Sequence, residues 1–205
     1  MAETDSLIRW AGLAYLLAGI SLIVHVLLHP VGADVAASQN GLWLPAHTIG
    51  FIGFVLGMFG LLGLFARQMQ AFGRGGVAAF VVAFAGQTMT AGVVFFDSFL
   101  VPVLGKDAPA LLSPTGSIFM GAPGLVIVLA GVLVTAGFIA LGAATLRAGL
   151  LPKGGAALLI AGSWFGLGQS SLTMPSSSAD CCSAPGPPGL GSPSGQDRSR
   201  TSSSA

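Results

Sequence analysis

The chain has 205 residues, of which 53% are hydrophobic and only 7% charged, with a net charge of +1 and a mean hydropathy of +0.85. A water-facing globule carries roughly a quarter of its residues as Asp, Glu, Lys or Arg, so this composition excludes an ordinary soluble domain. It also excludes a nucleic-acid partner, because no basic tract is present to neutralise a phosphate backbone.

The expected fold class is all-α, a polytopic bundle of transmembrane helices. Between Trp10 and Ala66 the only Asp, Glu, Lys or Arg is Asp34; between Gly75 and Gly105 it is Asp97; between Ala108 and Leu146 there is none. Crossing a hydrocarbon core of about 30 Å takes about 20 helical residues, so five spans are expected, at 7–29, 43–66, 76–99, 122–146 and 154–172. The last is the weakest, because Gln169, Ser170 and Ser171 crowd its end. Barrel strands fit poorly, since the apolar runs are continuous and far exceed about ten residues. Pro30, Pro45, Pro102, Pro123 and Pro152 fall near the expected ends, where proline costs a helix least.

The first span has a longer apolar run than a signal peptide and no clear cleavage site before Pro30, so it is expected to be an uncleaved anchor. Arg9, Arg67, Arg74, Arg147 and Lys153 fall on one side of the five spans, and the opposite loops carry only Lys106. Cytoplasmic loops retain Lys and Arg, which places the N-terminus in the cytoplasm, with the plasma membrane of a bacterium as the expected location. Trp10 and Trp43 near span ends fit interfacial anchoring; Trp164 does not.

From Thr173 the composition turns to Ser, Pro and Gly, and 173–205 is expected to be a disordered tail. Its adjacent Cys181 and Cys182 could close only a strained ring, so they are expected to be inert or intermolecular thiols. Gly12-x-Ala14-x-Leu16-Leu17-Ala18-Gly19 echoes Gly155-x-Ala157-x-Leu159-Ile160-Ala161-Gly162. If the echo is a repeat, a sixth span is missing where the tail stands, as a shifted reading frame would produce.

Small residues mark helix contacts in lipid. Gly50, Gly53, Gly57 and Gly60 form one stripe on the second span, while Ala14, Ala18 and Ser21 form another on the first. Packing within the bundle is the simplest use of these stripes, with homo-oligomerisation or a membrane-protein partner as the alternative.

The polar residues of the spans gather toward one end. His25 and His29 lie one turn apart and continue the Ala14 stripe, His47 begins the glycine stripe, and Gln87, Thr90 and Asp97 share a face of the third span. Four potential metal ligands, His25, His29, His47 and Asp97, thus come from three helices at similar depth near the outer face. The first reading is structural: hydrogen bonds from this cluster, supported by Ser21, Gln87 and Thr90, tie helices together in a small structural or accessory membrane subunit. The second is a transition-metal site, or a b-type haem held between His25 and His47. The third is proton-linked transport or sensing through His and Asp97. An enzyme acting on lipid comes last, because no nucleophile elbow, phosphate-binding glycine loop or carboxylate pair is present.

Overall fold

The computed structural model describes residues 2–31, 35–113 and 115–172, with the backbone alone at 2–5 and 163–172. The described residues belong to one compact unit, Met1–Pro175. The expected tail, its two cysteines and the suggested sixth span lie outside them.

Every regular element among the described residues is helical. In chain order they are α1 (Ala2–Leu28), α2 (Val35–Ser38), α3 (Trp43–Phe99), α4 (Val101–Asp107), a 3-10 turn (Pro109–Leu112), α5 (Ser117–Met120), α6 (Ala122–Ala148) and α7 (Lys153–Leu172). Three helices are long and apolar enough to cross a membrane: Ser6–Leu28, Trp43–Phe99 and Ala122–Ala148. A shorter apolar helix covers Lys153–Gly162.

The count differs from the five segments expected in two places: the second and third fall on one helix of 57 residues, and the fifth is represented only by the shorter apolar stretch Lys153–Gly162. Straight, α3 would be about 85 Å long at about 1.5 Å per residue, but it doubles back at Gly73, where φ is 59° and ψ −169°. That backbone region is open to glycine almost alone. The two arms, residues 43–72 and 74–99, then run antiparallel: Phe51 meets Phe95 at 5.6 Å and Phe65 stacks on Phe80 at 4.1 Å between ring centroids. The helix continues through the expected loop at 67–75 because Arg67, Gln68, Met69, Gln70 and Ala71 all favour helix.

The arms form the middle of the bundle, with α1 on the first and α6 on the second. Gly53 admits Ser21 and the Ala18 carbonyl of α1 so closely that an added Cβ would lie 3.0 Å from Ser21 Cβ. Cβ atoms on Gly60 and Gly63 would strike Tyr15 and Ala11. The stripe from Gly50 to Gly60 is therefore occupied from within the chain, by α1 and, at Gly57, chiefly by Gln87 of the second arm. On the other side, Gly86 lies against the backbone of Leu133 and Val134, and Gly137 against that of Val82 and Ala83. Gly142 of α6 in turn receives Ile160 of α7. Large apolar side chains such as Leu16, Ile23, Leu27, Leu125 and Val132 point outward, a surface suited to hydrocarbon and ill suited to water.

Two ends can be told apart. The end holding Arg67, Arg74 and Arg147 contains a core of Leu61, Phe72, Ala79, Ala83 and Leu141, flanked by Tyr15, Phe65, Phe80, Phe84 and Phe138. At the opposite end the connections fold onto each other: Gln39 Nε2 donates to the Pro102 carbonyl at 2.9 Å, and Ser38 sits against Gly105 of α4. These short helices were not legible in the loops.

Candidate functional site

The second end holds all three histidines. His25 lies on the last turn of α1, on the inward face with Ala18, and is 6% exposed. His29 follows just after that helix. His47 lies one turn into the first arm and is 4% exposed. Their ring centroids form a triangle: 5.4 Å from His25 to His29, 5.2 Å from His25 to His47 and 4.8 Å from His29 to His47. Gly50 makes the approach of α1 possible, since a Cβ there would stand 2.9 Å from the His25 ring.

Each ring is oriented through Nδ1. His25 Nδ1 bonds to the Ala46 carbonyl across the helix interface at 2.9 Å, His47 Nδ1 to the Trp43 carbonyl at 2.9 Å, and His29 Nδ1 to the Pro30 carbonyl at 2.8 Å. A carbonyl oxygen only accepts, so each Nδ1 carries a proton and donates it.

Trp43 completes the cluster. Its indole stacks on His47 at 4.1 Å with 23° between planes, and lies 5.6 Å from His29. Its Nε1–H donates to the Asp97 backbone carbonyl on the second arm at 2.7 Å, closing the open end of the hairpin. The sequence suggested only an interfacial anchor at Trp43; its aromatic spacing from His47, one turn on, was the available signal.

The remaining expected residues are distributed as follows. Asp97 joins the cluster through its backbone; among the described residues no hydrogen bond or ion pair links its carboxylate to a histidine. Gln87, 5% exposed, donates from Nε2 to the Phe54 carbonyl of the other arm at 3.1 Å and sits beside Gly57, where three helices meet. Thr90 Oγ1 donates to the Gly86 carbonyl one turn back at 2.8 Å, and Ser21 packs against Gly53. Among the described residues, no group of three or more His, Cys, Asp or Glu side chains could hold a metal ion.

Sequence reasoning missed one polar pair at the basic end. Gln68 is fully buried, with its Nε2 3.4 Å from Thr145 Oγ1 and its Oε1 without a hydrogen-bond partner. Compared with known proteins, the chain matches no protein-family model, no curated protein and no solved structure.

Proposed function

We propose that this chain is a structural or accessory subunit of a membrane, crossing it five times through α1, the two arms of α3, α6 and α7. The basic end faces the cytoplasm, in the manner of a bacterial plasma-membrane protein. The basic residues Arg67, Arg74, Arg147 and Lys153 at one end support that orientation.

One observation carries the structural role: buried polar side chains are spent on fastening one helix to the next. His25 reaches the Ala46 carbonyl, Gln87 the Phe54 carbonyl and Trp43 the Asp97 carbonyl. Two surface grooves among the described residues are lined mainly by apolar side chains, one along Gly12, Tyr15, Leu16, Gly19 and Ile23, the other between Trp10, Ala14, Phe59 and Leu62.

Two measurements test this. In a Cys181→Ser/Cys182→Ser background, an impermeant thiol reagent applied to intact cells should label Leu111→Cys and leave Gln70→Cys unlabelled until the membrane is opened; the reverse pattern overturns the orientation. Vesicles reconstituted with the chain should conduct protons and small ions no faster than empty vesicles. Flux above that background would replace the structural role with transport.

A further inference from the structure

We propose that the groove between α1 and the first arm of α3 binds one anionic phospholipid of the cytoplasmic leaflet, with an acyl chain lying in the groove and the phosphate meeting Arg67; the proposal rests on the membrane-spanning reading above. The shape follows from residue size. At the seam where the two helices touch, Ala11 and Gly63 are small and half-buried, and a Cβ on Gly63 would strike Ala11. Large side chains stand on either side of that seam, Leu7 and Trp10 on α1, 70% and 67% exposed, and Phe59 and Leu62 on the arm. The hollow between them has a volume of about 450 Å³, within the range of sites that hold a small molecule. From Leu7 to Ala14, and from Phe59 to Ala66, it runs about 10 Å along the helices, against about 15 Å of hydrocarbon in one leaflet. An acyl chain is the apolar object of that width and length that a bilayer supplies.

One end of the groove is polar, and the register of the helices tells which groups are there. Gly60 lies against Tyr15 and Gly63 against Ala11, so one turn further along the arm Arg67 comes level with Leu7, at the mouth of the groove. Gln70 follows one turn beyond Ala66, on the groove's own line. Both are exposed, and among the described residues no carboxylate pairs with the Arg67 guanidinium. A guanidinium at the edge of the hydrocarbon with no counter-charge suits a phosphodiester, which it can grip through two N–H groups at once. Trp10 stands on the rim at the same end, where interfacial tryptophans anchor. The surroundings favour an anionic over a zwitterionic headgroup. Arg9, Arg67, Arg74, Arg147 and Lys153 belong to this end, against Glu3 and Asp5, and basic residues at the cytoplasmic surface attract anionic lipid.

The test uses the full chain in phosphatidylcholine vesicles holding a small fraction of phosphatidylglycerol with brominated acyl chains, which quench tryptophan on contact. At equal mole fraction, brominated phosphatidylglycerol should quench about five-fold more effectively than brominated phosphatidylcholine, and Trp10→Phe should remove that excess. Arg67→Gln should abolish the preference with helical content and melting temperature unchanged, since the side chain is exposed, and Arg67→Lys should keep part of it. Arg147→Gln, at the same end but on α6, should leave the preference intact. Equal quenching by the two lipids, or a loss in Arg147→Gln as large as in Arg67→Gln, overturns the site and reduces the effect to general surface charge. The brominated lipid is in both leaflets, so the readout is the same whichever way the chain is inserted. No quenching by either lipid would overturn the membrane-spanning reading, and the site with it.

Discussion

The two ends of the bundle hold the same helices together by different means. At the basic end, phenylalanine rings stack around Leu61 and Leu141, and the buried Gln68, long in its contacts with Thr145 and the Leu64 carbonyl, has no partner for its Oε1 among the described residues. At the histidine end, ring nitrogens and the Trp43 indole bond to main-chain carbonyls in neighbouring helices or in the preceding turn. Since lipid offers helices no hydrophobic reason to associate, close apolar fit carries one end, while directed hydrogen bonds orient the other.

The largest expected effect comes from the close contact between α6 and the second arm. Gly137→Leu would drive a side chain into the backbone of Val82 and Ala83, which cannot yield as a flexible side chain could, and should cost about 3 kcal/mol. Thermal unfolding in detergent micelles should show this as the strongest drop of the set. A melting temperature equal to the parent's would mean that the second arm and α6 do not meet there.

Next comes the turn. Gly73→Ala places a Cβ in a conformation that costs an L-residue about 1–3 kcal/mol, although nothing crowds the position. Cross-linking between cysteines introduced at Phe51 and Phe95, which face each other across the arms, should fall in this variant. Undiminished cross-linking would show that the hairpin is imposed by packing alone.

The comparison is sharpened most by a pair of small changes. Trp43→Phe removes the bond to the Asp97 carbonyl and should destabilise by about 0.6 kcal/mol, up to about 1.7. Gln68→Leu removes an unpaired buried oxygen together with a long contact and should be neutral or stabilising. If both variants lose the same stability, the two ends do not differ as described.

Much of the packing was legible in the sequence, for a physical reason. Close approach needs small residues at helical spacing, so Gly50, Gly53, Gly57 and Gly60 marked the face that now carries Ala18, Ser21 and Tyr15. The same spacing set His25 and His47 on inward faces. What stayed hidden is whatever depends on partners far apart in the chain. Gln68 and Thr145 are 77 residues apart, and no periodicity links them. Asp97 was noticed for its carboxylate, yet its backbone carbonyl makes the contact with Trp43, and a sequence pattern says nothing about which carbonyl is reached. The continuity of α3 through Arg67 was missed because charged residues there suggest a loop, although a helix end clear of lipid accommodates them well.

The turn at Gly73 bears on how such a chain enters lipid at all. The second arm carries Gln87, Thr88, Thr90 and Asp97, and an aspartate alone opposes insertion by up to about 3 kcal/mol. The first arm has no charged residue from Trp43 to Ala66. Because the connection is a single glycine between continuous helices, the two arms can partition as one object, the more apolar half carrying the more polar half with it. Gln87 then has its partner, the Phe54 carbonyl, within the hairpin itself. The hairpin thus supplies the partner of its own buried amide, and neither α1 nor α6 needs to provide one.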